Sequence, residues 1–257
     1  MLRRIAIANH KGGVGKTSTA VNLAACLGRL GRRVLLVDCD PQGSASRWLG
    51  FGKTAGRPFL EDVVAGRAAL GAATYATGVA GVWIVPASPE LAVQDRYLAA
   101  EVGGETVLGL HLRGLGEDRF DYVVLDSPPQ VGMLSLNVLT AAEELVIPVA
   151  PDPLALDGLA QVFETVRLVQ ERLNPRLHVT GILLFRVRPA TLLAKRVAAD
   201  LAGRFPGLVF ETYVHETVRA AEAPSHRLPL IDYQPMCSAA EDFRRLAAAV
   251  VAQEQAV

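Results

Sequence analysis

One nine-residue run constrains this chain more than any other: His10-Lys11-Gly12-Gly13-Val14-Gly15-Lys16-Thr17-Ser18. It follows a strand-like segment, Arg4–Asn9, and opens a helical one, Thr17–Leu30, that Gly31 should stop. A strand before and a helix after is the context a phosphate-binding loop requires. Glycines let the backbone turn tightly with its N–H groups inward, and those donors, with the positive end of the helix, cradle phosphate oxygens. The spacing therefore assigns Lys11, Gly12, Gly13, Val14, Gly15, Lys16, Thr17 and Ser18 to the phosphates of a nucleotide. Lys16 neutralises the β- and γ-phosphates and the Thr17 hydroxyl holds Mg²⁺. The loop departs from G-x-x-x-x-G-K-[ST] in two ways: His10 stands where the first glycine belongs, and a second lysine, Lys11, follows it. From the start of the loop, Lys11 need not address its own nucleotide. It can reach one held by a second copy, neutralising charge in trans as an arginine finger does.

Short β-branched runs alternate with longer alanine-rich segments along the rest of the chain. Strands are expected at Arg33–Asp38, Val82–Val85, Tyr122–Leu125, Leu145–Val149, Val179–Leu184 and Val209–Val214. Helices are expected at Leu154–Leu173, Thr191–Arg204 and Ala239–Gln253. Continuous apolar strands mean that both sheet faces are covered. The expected fold class is α/β, a P-loop NTPase with a mostly parallel twisted sheet and helices on both faces. With no internal repeat or linker, residues 1–257 read as one domain, with a peripheral excursion between Gly50 and Gly81. Residues of hydrophobic type make up 51% of the chain, enough for a large core and against disorder. Cys26, Cys39 and Cys237 have no metal-ligand spacing and suit a reducing cytosol. No apolar run reaches the roughly 18 residues of a membrane span, and no signal peptide is visible, so the expected location is cytoplasmic.

Two strands end on acids. Val37-Asp38-Cys39-Asp40-Pro41-Gln42-Gly43 places carboxylates at the C-terminal strand end, facing the ligand crevice of an open α/β sheet. Asp40 is the candidate for positioning or deprotonating the attacking water. Asp38 stands nearby for Mg²⁺-bound waters or for coupling to the loop, or it caps the next turn. Val123-Val124-Leu125-Asp126-Ser127-Pro128-Pro129 is a Walker-B arrangement, in which Asp126 steadies Mg²⁺ directly or through water. The prolines stiffen a loop able to sense the γ-phosphate.

Together these elements resemble the deviant Walker-A ATPases, most closely the ParA/Soj type of partitioning ATPase. The resemblance covers nearly the whole chain. It runs on through Leu136-Asn137, Ile147-Pro148-Val149, Ala155-Leu156-Asp157-Gly158-Leu159, and Val218-Arg219-Ala220-Ala221-Glu222-Ala223-Pro224-Ser225-His226. It implies that ATP brings two subunits face to face as a homodimer, with Lys11 of each on the other's nucleotide. It also implies nonspecific binding of double-stranded DNA, nucleoid association in the ATP state, and slow hydrolysis stimulated by a ParB-type partner. By the same match Lys11, Lys16 and Asp40 are the catalytic set and Arg219 a DNA contact. The chain departs from the family at Phe185-Arg186-Val187-Arg188-Pro189-Ala190, where a second DNA-binding arginine falls on Ala190. It departs again at His215-Glu216-Thr217, in place of Pro-Arg-Asn in a region that borders the base, and Glu216 adds a negative charge beside Arg219.

Formal net charge is zero, so DNA contact requires a local patch. Arg188, Lys195, Arg196 and Arg219 are candidates, with Arg186, Arg204, Arg227, Arg244 and Arg245 in the same third of the chain. A patch doubled across an ATP dimer would gain by avidity. The competing readings are a MinD-like membrane-associated positioning ATPase and an orphan ParA-like ATPase moving another cargo. The first would need a basic amphipathic C-terminal helix, whereas Phe243–Val257 is mostly alanine and valine and reads as a packing helix.

Overall fold

Among the described residues eight strands form one sheet: β1 (Arg3–Ile7), β2 (Val34–Asp38), β3 (Tyr75–Ala76), β4 (Val82–Val85), β5 (Tyr122–Asp126), β6 (Glu144–Val149), β7 (His178–Val187) and β8 (Val214–His215). The computed structural model describes residues 2–52, 56–115 and 119–255. The spatial order is β3-β4-β2-β5-β1-β6-β7-β8. Every pairing is parallel except β3 against β4.

Side chains alternate between two cores, as the two-residue strand period dictates. Ala6, Leu35, Val37, Val123 and Leu125 face one core, packed by the helices Leu91–Ala100, Val107–Arg113, Met133–Ala141, Ala155–Arg172 and Leu192–Arg204. Ile5, Ile7, Leu36, Tyr122 and Val124 face the other, closed by the helices Lys16–Arg29, Leu230–Tyr233 and Ser238–Ala252. Each fully buried leucine or valine contributes about 1.5–3 kcal/mol. Two covered faces therefore explain why β2 and β5 are buried at every residue.

The helix after the loop runs Lys16–Arg29, one residue earlier at each end than the sequence suggests, and Gly31 ends it with φ 79°. The expected strand Val209–Val214 is broken. Val209 makes a single bridge with Ile182, and the chain rejoins the ladder only at β8, beside Phe185 and Val187. Phe210 still donates its N–H to the Ile182 carbonyl (3.0 Å), and its ring stands so close to Gly181 that a Cβ there would lie 2.4 Å from it. The Gly50–Gly81 excursion, whose residues 53–55 lie outside the described ones, is more regular than its composition suggests. It holds the helix Leu60–Val64 and ends in the antiparallel edge strand β3. The C-terminal segment expected as a packing helix is one. Phe243, Leu246, Ala247 and Val250 are buried, while Ala256 and Val257 lie outside the described residues.

The sheet order decides where the site lies. Because β1 sits between β5 and β6, with β2 beyond β5, the loops after β1, β2 and β5 converge at one end of the sheet. Asp38 of β2 and Asp126 of β5 stand opposite each other, and Ile7, the last residue of β1, pairs with Asp126.

Candidate nucleotide site

Gly13 and Gly15 take φ of 74° and 93°, left-handed values that suit glycine. Gly15 has a second constraint: the Phe185 ring lies against its Cα, and a Cβ there would come within 2.4 Å of the ring. Gly15 precedes the helix with no side-chain cap, so the first N–H groups of the helix remain available to an anion. Asn9 anchors the loop, donating to the Pro148 carbonyl (2.8 Å) and accepting from the Lys11 N–H (3.0 Å).

Lys16 is almost buried and its ammonium donates 2.9 Å to the Lys11 carbonyl, across the mouth of the loop. Burial lowers its pKa, against an opposing pull from Asp126 and Asp40. Burial and the neighbouring Lys16 likewise lower that of His10. Gly12, Gly13, Gly15, Lys16, Thr17, Ser18 and Asp40 line a cleft of about 1170 Å³. Val14 turns inward and is buried. Lys11 is not among the lining residues. Its side chain is 45% exposed and its Nζ meets Asp152 Oδ2 at 2.6 Å.

The three acids have different surroundings. Asp38 is fully buried and committed to the chain: Oδ1 accepts from the Asp40 N–H (3.2 Å), and Oδ2 from the Ser46 N–H (2.8 Å) and hydroxyl (2.6 Å). Ser46 Oγ in turn accepts from the Ala87 N–H, tying the loop after β2 to the end of β4. Burial pushes the Asp38 carboxyl up to about 6 despite those bonds. Asp40 lies at the cleft wall, one oxygen accepting from the Gln42 N–H. Asp126 is fully buried and neither of its oxygens has a hydrogen-bond partner among the described residues. Burial and then the Asp38 charge push it well above the usual carboxylate range, while Thr17 and Lys16 pull it down. A buried, unpartnered carboxylate is costly, and a hard divalent cation held by oxygen ligands relieves that cost. The Thr17–Asp126 pair thus fits Mg²⁺.

The far end of the cleft is formed by Arg47, Trp48, Phe185, Arg186, Arg188, His215, Glu216 and Thr217. Arg186 and Arg188 both pair with Glu216. The sequence places Glu216 beside Arg219, but Arg219 pairs instead with Glu222 (2.9 Å), one helical turn on. Arg244 and Arg245 share Glu241. Lys195 and Arg196 lie exposed on the helix Leu192–Arg204 and have no ion pair among the described residues. Of the DNA candidates only Arg188 lines the cleft. Sequence reasoning missed Asp152, Asn9 and the Phe185 lid over Gly15, and only Phe185, as a departure from the family run, left a trace in the sequence.

A glycine loop on a helix N-terminus, a buried lysine and an unpartnered acid on the neighbouring strand define a P-loop nucleotide-binding ATPase. A family model described as an AAA domain matches residues 2–179. The chain is 43% identical over 254 residues to the chromosome-partitioning ATPase Soj of Thermus thermophilus, covering 99% of this chain and 97% of that one. It is 41% identical over 248 residues to the sporulation initiation inhibitor protein Soj of Bacillus subtilis, covering 96% and 98%. To the chromosome partitioning protein ParA of Caulobacter vibrioides it is 36% identical over 259 residues, covering 99% and 96%. Among solved structures, a cobyrinic acid a,c-diamide synthase from Mycobacterium smegmatis with bound ATP analogue and magnesium superposes with TM-score 0.87 at 32% identity, covering 99% and 96%. The septum site-determining protein MinD of Pyrococcus horikoshii with Mg-ADP gives 0.80 at 25% identity, covering 97% and 96%. The chain belongs to the Soj/ParA family of P-loop ATPases, and its cofactors are ATP and Mg²⁺. No described helix is long and apolar enough to cross a membrane.

Proposed function

We propose that this chain is a partitioning ATPase that dimerises on ATP, binds DNA without sequence preference in that state, and is released when a ParB-type partner stimulates slow hydrolysis. The observation that carries the reading is the position of Lys11: it leads the phosphate loop yet stands outside its own cleft, half exposed and paired with Asp152. An exposed pair of this kind is worth at most about 1 kcal/mol. A partner's triphosphate competes easily for such a lysine. The names of the curated relatives favour partitioning over amide synthesis, the activity for which the Mycobacterium smegmatis protein is named.

In this reading Lys16 exchanges the Lys11 carbonyl for the β- and γ-phosphates, and the free helix N–H groups take the remaining oxygens. Asp40, at the cleft wall, orients the attacking water. Thr17 and Asp126 would hold Mg²⁺, which would supply positive charge against the phosphates. Asp38 couples the loop after β2 to β4 through Ser46, which favours its loop-coupling role over contact with Mg²⁺-bound water. The reading places the protein in the cytoplasm, on the nucleoid when ATP is bound, as one domain over residues 1–257. Arg219, Arg188, Lys195 and Arg196 are its DNA contacts. The apolar face of the helix Ser238–Ala252 is spent on the core, which favours DNA over a lipid surface. Light scattering with ATP, ADP or neither, with and without nonspecific DNA, tests the switch. The expected result is a dimer and DNA binding with ATP alone. A single subunit with a hydrolysis-resistant ATP analogue bound overturns the reading.

A further inference from the structure

We propose that His215, its tautomer set by Asp242, reads the exocyclic amine of adenine at the far end of the cleft. The inference deepens the nucleotide reading of this site and rests on it. A triphosphate anchored on Gly12–Thr17 must send its base toward the other lining residues, and those include Phe185, Arg186 and His215–Thr217. His215 is the last residue of β8 and is fixed twice by the buried Asp242 of the C-terminal helix. Its N–H donates to Oδ2 at 2.9 Å, and its Nδ1 lies 2.7 Å from the same oxygen. A carboxylate oxygen accepts only, so Nδ1 carries the proton. In the neutral ring Nε2 is then a bare lone pair, and it has no partner among the described residues. Tyr213 packs on the ring, centroids 4.9 Å apart, and holds its plane.

Adenine offers an amine donor at C6, where guanine offers a carbonyl acceptor. A fixed acceptor in the cleft wall pairs with the first and opposes the second. The two residues that follow in the cleft wall are already engaged: Glu216 accepts from Arg186 at Oε1 and Arg188 at Oε2, and Thr217 Oγ1 accepts from the Arg219 N–H (3.2 Å). Arg186 supplies an independent sign that this wall is built for a ligand. Its φ is 60°, and Arg186 and Arg227 are the only described non-glycine residues with positive φ. Backbone strain of this kind concentrates at ligand clamps, and here it brings the Arg186 side chain to the rim of the cleft.

The test compares ATP, GTP, purine riboside triphosphate (which lacks the exocyclic amine) and inorganic tripolyphosphate by titration calorimetry. With the unaltered protein, purine riboside triphosphate should bind about tenfold more weakly than ATP, the cost of one lost hydrogen bond, and GTP more weakly still. In His215→Ala, ATP and purine riboside triphosphate should bind alike, while tripolyphosphate affinity stays unchanged. Equal affinity of the unaltered protein for ATP and the amine-free analogue overturns the inference whether or not the variant folds. So does an undiminished preference for ATP in a His215→Ala variant that still binds tripolyphosphate. Failure of the unaltered protein to bind ATP or tripolyphosphate at all would instead overturn the nucleotide reading beneath it.

Discussion

The two ends of the cleft handle charge in opposite ways. At the phosphate end, Lys16 and Asp126 are buried; among the described residues Asp126 has no hydrogen-bond partner and Lys16 has a backbone carbonyl. At the far end, Arg186 and Arg188 are exposed and already balanced by Glu216. Buried charge without a partner is expensive and is repaid only when a ligand arrives. Exposed pairs cost and yield little, so they can be exchanged without disturbing the fold. In the proposed reading the phosphate end thus stores the driving force for Mg·ATP binding, and the far end selects and adapts.

The largest effect should come from Lys16→Ala. Removing the buried cation of the phosphate loop should weaken ATP binding at least about a hundredfold, measured by calorimetry. Retained affinity would move the phosphate site elsewhere. Asp126→Asn comes next and separates stability from function. Asp38 and Asp126 have raised pKa values in the fold, so they bind more protons folded than unfolded. Their stabilisation is complete below the ordinary carboxylate range and is lost as pH rises through the raised pKa of each, about 6 for Asp38. The nucleotide-free protein should therefore melt at a higher temperature near pH 5 than near pH 7.5. Asp126→Asn should raise the melting temperature near pH 7.5 by a few degrees and abolish the stabilisation by Mg·ATP. A variant destabilised at both pH values would show that Asp126 is not an uncompensated charge.

Asp40→Ala should leave ATP-dependent dimerisation intact and cut turnover about tenfold to a hundredfold. Unchanged turnover in a phosphate-release assay would clear Asp40 of the hydrolytic role. The smallest effect belongs to the exposed end. Arg219→Glu should weaken DNA binding severalfold and flatten its salt dependence by about one phosphate contact. An unaltered salt titration would show that DNA binds at another surface.

How legible the molecule was depended on how far apart the interacting residues lie in the chain. Six of the seven expected strands appear where the apolar runs stand, and the phosphate loop is complete within nine consecutive residues. Val209–Val214 reads as one strand by pattern, but the chain pairs with β7 only at Val209 and again from Val214, and lapses over 211–213. The helix Met133–Ala141 has one local cap, the Ser135 hydroxyl accepting from the Gly132 N–H at 2.9 Å, and one distant one. Its Leu134 N–H is capped by Asp95, 39 residues earlier.

The sequence alone determined the class of ligand. Glycine positions, a lysine and strand-ending acids are local features, and their chemistry follows from covalent structure and backbone geometry. Only the tertiary structure decided which of those charges stand alone. Sheet order sets Asp126 against Asp38 and leaves it without a donor among the described residues, packing 141 residues apart gives Lys11 its Asp152, and the C-terminal helix hands His215 to Asp242. Such pairings have no period and no spacing to read, because they form where two elements happen to be packed together by a core that records only volume and polarity.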